Sequence, residues 1–321
     1  MYRGIFVDAQ DRDQRAWHTL EKVVNASVEE QRRARRWGIF FKLLTFIYLF
    51  VALALFLPRG DMSVVGGGKY TAIVRVDGLI ADGEAASANN IVAGLRRAFE
   101  DENAVAVVLA INSPGGSPVQ SGYVYDEIKR LRAKYPDKKL YAAIADLGAS
   151  GAYYIAAAAD AIYADQASLV GSIGVISSSF GFTGLMERVG VERRLFIGGE
   201  NKALLDPFSP LDPVQQKLWQ AVIAQTHQQF IARVKAGRGD RLADDPQLFS
   251  GMVWSGEQAL QLGLIDGLAS AGKVAREVVG QERVVDVSIG ESPLKKMLKD
   301  LGVSFGSGVT RELLKTGYEL K

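Results

Sequence analysis

A long apolar stretch near the N-terminus runs without a charge from Leu43 to Leu57. Extended back to Trp37, it contains a single charged residue, Lys42, whose aliphatic stem can reach the membrane interface. A helix over 37–57, at about 1.5 Å per residue, is roughly 31 Å long and matches a hydrocarbon core of about 30 Å. The pattern therefore predicts a transmembrane helix at 37–57.

The charges around this stretch predict its orientation. Four arginines between positions 32 and 36 precede it, so the positive-inside rule keeps 1–36 in the cytoplasm and places the chain after Pro58 across the membrane.

A cleaved signal peptide and a buried helix of a soluble protein are the alternatives to a transmembrane anchor. We favour a retained anchor because the leader is longer than that of a signal peptide, and apolar residues continue past the small residues Ala52 and Ala54.

Beyond the anchor, residues 58–70 contain three consecutive glycines and are predicted to be a linker. From Thr71 onward β-branched runs alternate with helical patterns, which predicts parallel strands with right-handed crossovers and an α/β domain over 71–288. The predicted strands are Thr71–Val76, Ala104–Ile111, Leu140–Ala145, Ala161–Ala164 and Glu192–Ile197. The predicted helices are Ala88–Phe99, Gln120–Lys134, Gly151–Ala158 and a long one from the N-cap Asp212 to about Lys235, with Val214, Leu218, Val222, Phe230 and Val234 on its apolar side.

The C-terminal tail, 289–321, carries Leu294, Leu298 and Leu301 at helical spacing between lysines. This pattern fits an amphipathic helix beside the membrane. A solvated tail or a helix that contacts another subunit is the favoured interpretation.

Composition limits the chemistry that this chain can perform. The 321 residues include no cysteine and two histidines, and the net charge is +2. Disulfides, thiolate metal sites and a cysteine nucleophile are therefore excluded, and no metal or cofactor is predicted. The charge gives no field that would attract nucleic acid. An enzyme with this composition needs a general base other than the usual imidazole.

Two glycine-containing turns follow predicted strands, where ligands of parallel sheets bind. In the turn 112–117, Gly115 and Gly116 could turn N–H groups toward a ligand, as an oxyanion hole requires. In the turn 148–151, Ser150 stands at the start of an apolar helix, followed by Gly151. The alternatives are an ordinary strand-to-helix turn and an ordinary serine N-cap. Position 152 is alanine, so Ser150 does not lie in a G-x-S-x-G elbow.

A third turn, 199–203, contains Lys202 and follows the predicted strand that ends at Ile197. A lysine serves as a base near neutral pH only when burial lowers its pKa from about 10.4. Apolar residues flank Lys202 on its C-terminal side, which favours such burial. An ordinary solvated lysine is the alternative.

Taken in order, the segments INSPGGS, GASGAYYIAAAAD, VGSIGV and GENKALLDPFSP resemble the serine peptidase family of signal peptide peptidase A and protease IV, in its short single-repeat form. The resemblance implies a ClpP/crotonase-like spiral of β-β-α units. It implies that Ser150 is the nucleophile and Lys202 the general base of a Ser-Lys dyad. It also implies an oxyanion hole from Gly116 or Gly115 with Gly151, and a hydroxyl at Ser172 that orients the lysine amine.

The same resemblance implies a membrane-anchored serine endopeptidase of the bacterial inner membrane. Its catalytic domain would lie on the periplasmic side. Its substrates would be apolar peptides, namely remnants of cleaved signal peptides and other exported or membrane-associated polypeptides. Because the chain has one repeat, we expect a homo-oligomeric ring in which the lysine of one protomer reaches the serine of its neighbour.

Three other functions are weighed against this one. A crotonase-like acyl-CoA enzyme would share the fold but would use catalytic carboxylates and would not need Lys202. A membrane scaffold of the same fold could have lost activity, although the intact Ser150 and Lys202 argue against it. A Ser-His-Asp peptidase would need His227, which lies within the long predicted helix and is expected to be packed or half-exposed.

Overall fold

The computed structural model describes residues 4–56 and 68–290. They form two units, an N-terminal helix and a folded body, which are described separately. The helix, α1 (Gly4–Phe56), includes most of the predicted cytoplasmic segment and continues without a break into the predicted anchor. Within the described residues, its part from Leu20 to Leu53 contains an 18-residue window with a mean hydropathy of 1.6, so the helix is long and apolar enough to cross a membrane. Residue 57, most of the predicted linker and nearly all of the predicted tail lie outside the described residues.

The body is built on a largely parallel sheet, which confirms the predicted α/β class. The strands are β1 (Tyr70–Asp77), β2 (Ala104–Ser113), β3 (Leu140–Ala149), β4 (Ala161–Ala164), β5 (Leu169–Gly171), β6 (Val253–Ser255), β7 (Gly267–Leu268) and β8 (Val284–Asp286). The main path of the sheet has the order β6-β5-β3-β2-β1-β8. The first half of β3 pairs with β4 and its second half with β5, so the sheet divides at this strand. The pair β5–β6 is antiparallel.

Helices cover both faces of the sheet because the long strands are apolar on both sides. Inward residues such as Val74, Leu109 and Ile144 pack with Leu95 and Ile128 in one continuous core. A smaller cluster lies on the other face. The helices of the body are α2 (Ala88–Glu100), α3 (Pro118–Lys134), α4 (Gly151–Ala156), α5 (Thr183–Val189), α6 (Pro213–Arg238), α7 (Gly256–Gln261) and α8 (Ala271–Lys273), with a π-helical turn over Val274–Val279.

Local sequence signals explain where the two longest helices of the body begin. Ser117 accepts a hydrogen bond from the backbone N–H of Gln120 and is followed by Pro118, which opens α3. Asp212 accepts from the backbone N–H of Val214, and Pro213 opens α6 in the same way. Proline suits the first helical position because its missing N–H would have no partner there. The N-cap prediction at Asp212 is confirmed.

The predicted strand Glu192–Ile197 is wrong. These residues are exposed and form no strand, because no described strand lies beside them to accept their backbone hydrogen bonds. No residue from Val175 to Gln229 is buried. The segment 175–212, called here the exposed segment, nevertheless carries large apolar side chains, with Ile176 90% and Phe196 91% exposed.

The predicted apolar side of α6 needs a related correction. Phe230 and Val234 are buried as expected, but Val214, Leu218 and Val222 are between 46% and 65% exposed. The body covers only the second half of this helix. Its first half and the exposed segment therefore present apolar surface that the described chain does not cover.

Candidate functional site

Ser150 stands at the junction between β3 and α4 in a strained backbone conformation, with φ of +53°. Such a conformation is costly for a residue with a side chain and persists only where neighbours enforce it. The backbone N–H of Ser150 donates to the carbonyl of Gly171 at 2.8 Å, and its carbonyl accepts from Tyr154. Its hydroxyl makes no capping bond to α4. The junction thus fixes the backbone of Ser150 and leaves its hydroxyl available.

The turn after β2 packs against this junction so tightly that only glycine fits. A Cβ on Gly115 would lie 2.6 Å from the backbone nitrogen of Gly151 and 2.8 Å from Cβ of Ser150. A Cβ on Gly116 would lie 2.2 Å from the carbonyl oxygen of Ile80. Both glycines have positive φ, +94° and +149°. The two turns predicted from the sequence therefore meet in space.

Ile80 holds the glycine turn through its backbone. Its N–H donates to the carbonyl of Gly115 and its carbonyl accepts from the N–H of Ser117, each at 2.8 Å. Since Ile80 is fully buried, this pair of bonds has little freedom to move. The turn is thereby fixed between the loop after β1 and the start of α4.

A cavity of about 570 Å³ opens beside Ser150. It lies at the carboxyl ends of three neighbouring strands, since Gly116 follows β2, Ser150 follows β3 and Ser172 follows β5. Helix α6 and the start of the exposed segment form the remaining walls. The lining residues include Gly116, Pro118, Ser150, Gly151, Tyr154, Ser172, Gly174, Val175, Ile176, Gln220, Ile223, Thr226, His227, Phe230, Ser250 and Gly251.

Ser172 has a second unusual backbone conformation, with φ of +50°. Its N–H donates to the carbonyl of Met252 at 2.7 Å. The structure therefore places Ser172 in the same cavity as Ser150, Gly116 and Gly151, as a shared site requires. Its predicted support of a lysine stays a prediction.

Two predicted site residues do not line this cavity: Gly115, which packs directly against Ser150 and Gly151, and Lys202. Lys202 is exposed in a turn, away from the residues that line the cavity with Ser150. The turn does not follow a strand, because the predicted strand before it is absent. An ion pair between Arg193 and Asp206 secures this part of the chain. Hydrogen bonds from Arg193 and the Ser209 hydroxyl lower the pKa of Asp206 to about 2.

The contribution of α6 to the cavity was not predicted from the sequence. Ile223, Thr226, His227 and Phe230 are spaced three and four residues apart, so they share one face of the helix. The rings of Tyr154 and Phe230 are in contact, with centroids 5.0 Å apart and an angle of 35° between their planes. This spacing was a readable signal, but it is equally typical of a helix that packs only on the core.

His227 is half-buried, as expected, and its ring nitrogen Nε2 lies 3.0 Å from the backbone carbonyl of Ile173. Its partner is thus neither Ser150 nor a carboxylate, so the arrangement does not support a Ser-His-Asp site. No Asp or Glu lines the cavity within the described ranges. The described residues also contain no group of acidic or histidine side chains that could hold a metal ion.

A mixed α/β sheet with a cavity at the carboxyl ends of adjacent strands is the arrangement in which α/β proteins bind their ligands. Comparison with known proteins is more specific, because residues 132–284 match the model of peptidase family S49. The chain belongs to this family of peptidases and has its ClpP-like fold.

Individual relatives agree with this family. A Synechocystis protein named "Putative protease slr0021" is 33% identical over 202 residues, 63% of this chain and 70% of that protein. The chloroplastic serine protease SPPA of Arabidopsis thaliana is 30% identical over 272 residues, 79% of this chain and 40% of that protein. These names support a peptidase of the signal peptide peptidase A type.

Higher identity is found to part of a longer protein. A Brucella melitensis protein named Na(+)/H(+) antiporter NhaA is 43% identical over 214 residues, which are 66% of this chain. The chain spans 29% of the length of that antiporter. The antiporter name describes the whole of that longer protein.

Proposed function

We propose that this protein is a membrane-anchored serine peptidase in which Ser150 and Lys202 form the catalytic dyad. The observation that carries the proposal is the junction at Ser150. A strained serine with an unused hydroxyl faces the same cavity as Gly116 and Gly151, which is the arrangement that acyl transfer requires.

The proposed reaction proceeds through an acyl-enzyme. Neutral Lys202 takes the proton of the Ser150 hydroxyl while Oγ attacks the peptide carbonyl, and the backbone N–H groups of Gly116 and Gly151 stabilise the oxyanion. Lys202 then gives the proton to the leaving amine as the C–N bond breaks. A water molecule then attacks the ester carbonyl as Lys202 takes its proton, and Lys202 gives this proton to Oγ of Ser150 as the ester C–O bond breaks. Ser172 would orient the lysine amine during both steps.

Lys202 would come from a neighbouring protomer of a ring. The support is that Lys202 lies in the exposed segment, outside the cavity of its own chain. This segment and the first half of α6 carry exposed side chains such as Phe196, Phe180 and Val214. Apolar surface of this extent in a soluble domain marks an interaction site. A second copy of the chain that covered this apolar surface would bring Lys202 to a serine. It would also bury the lysine, as is needed for a lysine to act as a general base.

The proposed substrates are apolar peptides near the membrane, such as remnants of cleaved signal peptides. Ile223, Phe230, Tyr154 and Val175 give the cavity apolar walls, and such walls bind apolar side chains. The helix α1 supports a single-pass anchor, with the basic residues before it on the cytoplasmic side. The body would then act on the periplasmic side of the bacterial inner membrane.

Hydrolysis of a fluorogenic apolar peptide by the full-length protein in detergent micelles tests the proposal. We expect Ser150→Ala and Lys202→Ala each to reduce kcat by at least about 10³-fold, because neither half of a dyad works alone. Lys129→Ala is the matched control, since Lys129 is an exposed lysine on α3. Activity that survives in Ser150→Ala would overturn the nucleophile, and activity that survives in Lys202→Ala would overturn the base.

A further inference from the structure

His227 lies on the cavity wall and has no part in the proposed reaction. It is half-buried on α6, and its Nε2 lies 3.0 Å from the carbonyl oxygen of Ile173. A carbonyl can only accept, so Nε2 carries the hydrogen of this bond. The imidazole therefore acts here as a donor to the backbone.

The carbonyl of Ile173 depends on His227 for its hydrogen bond. Ile173 is fully buried, and within the described parts of the chain His227 is the sole donor to its carbonyl. A buried carbonyl that loses its donor is energetically unfavourable. The backbone at Ile173 would then shift toward water or toward another donor.

Ile173 is in the middle of the short segment 171–174, which adjoins the nucleophile. The carbonyl of Gly171 accepts from the backbone N–H of Ser150, and the N–H of Ser172 donates to Met252. The N–H of Gly174 donates back to the carbonyl of Ser172 at 2.9 Å. His227 adds the connection from α6. Since Ser172 has a strained φ of +50°, the segment needs such external bonds to keep its shape.

We propose that His227 is a positioning residue of the peptidase site. Its Nε2–H bond to Ile173 holds the segment 171–174, and through it the backbone of Ser150 and the side chain of Ser172, in the reactive arrangement. The inference deepens the proposed function, because it presupposes that Ser150 is the nucleophile. Small displacements of reacting groups reduce the rate of the chemical step more than the binding of substrate.

Two substitutions of similar length separate the hydrogen bond from the packing. His227→Gln keeps an N–H donor near the position of Nε2, whereas His227→Met fills the space without a donor. The full-length protein in detergent is assayed for kcat and KM on the apolar peptide and for the rate at which a fluorophosphonate probe labels Ser150. Thermal unfolding of each variant is followed in parallel.

We expect His227→Met to lower kcat and the labelling rate about tenfold while KM changes less than about twofold, and His227→Gln to recover most of the loss. Wild-type rates in His227→Met would overturn the proposal. Equal losses in both variants would assign His227 to packing, and a change confined to KM would assign it to substrate binding; either result also overturns it. Failure of the wild-type protein to be labelled at Ser150 would instead overturn the proposed nucleophile.

Discussion

The backbone N–H of Ser150 donates a 2.8 Å hydrogen bond to the carbonyl of Gly171, which ties the end of β3 to the end of β5. Both residues have positive φ, +53° and +104°. The position of the serine is thus determined by backbone geometry on two neighbouring strands. Substitutions that alter the backbone close to this junction should therefore affect activity even when they remove no functional side chain.

Gly116→Ala should reduce kcat about 10²-fold or more, the loss typical of an oxyanion donor that is displaced. The new Cβ would lie 2.2 Å from the Ile80 carbonyl oxygen, and the φ of +149° disfavours a side chain, so the turn must move. Peptide hydrolysis by the purified variant measures the effect. Gly122→Ala is the control, because its Cβ would meet nothing within 4 Å and alanine favours its helix. Equal activity of the two variants would contradict the assignment of Gly116.

Arg193→Ala should lower activity about threefold to fivefold, since the ion pair of Arg193 with Asp206 fixes the part of the chain that carries Lys202. The guanidinium also lies 5.3 Å from the ring centroid of Phe208. Steady-state peptide hydrolysis is the measurement. Arg194→Ala is closely matched, because Arg194 is exposed and pairs with nearby Glu192, and it should retain full activity. A loss of the same size in both variants would show that the Arg193–Asp206 ion pair has no specific effect on activity.

How far the sequence predicted this structure depends on the length of each element. Strands β1 to β4 lie where their apolar runs predicted them, because short continuous apolar runs bounded by turns are typical of buried strands. Strands such as β5 and β6 have three residues each, which is too short for a recognisable period. They form because neighbouring strands offer hydrogen-bond partners, and that information is not local.

The site, too, was predicted only where local sequence signals determine the structure. Gly115, Gly116 and Ser150 were predicted from turn chemistry, and the structure brings them together because adjacent parallel strands end at the same edge. The cavity face of α6 was not predicted, because a helical apolar period does not say which neighbour it faces. The strand at Glu192–Ile197 was predicted wrongly because a local pattern does not show whether a neighbouring strand is present. A short apolar run such as Leu195–Ile197 forms a strand only when a neighbouring strand supplies partners for its backbone hydrogen bonds.

Acid should destabilise the body partly through Glu127. Hydrogen bonds from Arg130, and then from Arg96, outweigh the effect of burial and lower the pKa of Glu127 from 4.5 to about 2. Because the pKa of the folded state is depressed, this stabilisation is complete above about pH 4.5 and is lost as the pH falls toward about 2. The Tm of wild type should therefore fall more steeply than that of Glu127→Gln between about pH 5 and about pH 3.

The exposed Glu282 provides the control Glu282→Gln, whose Tm should follow that of wild type. Parallel curves for wild type and Glu127→Gln would contradict the prediction.

Mixing two inactive variants should restore activity if each site combines residues of two protomers. In co-expressed Ser150→Ala and Lys202→Ala chains, a site is complete only where an intact serine meets an intact lysine from its neighbour. Random assembly at equal amounts gives this pairing at about one quarter of the sites of a closed ring, so about a quarter of wild-type activity is expected. The exposed position of Lys202, outside the Ser150 cavity of its own chain, is the reason to expect recovery.

A mixture of Ser150→Ala with the double variant Ser150→Ala/Lys202→Ala is the control and must stay inactive, because it contains no intact serine. If the first mixture stays equally inactive although differently tagged chains co-purify, both dyad residues must come from one protomer, and the exposed segment would have to fold back onto its own cavity.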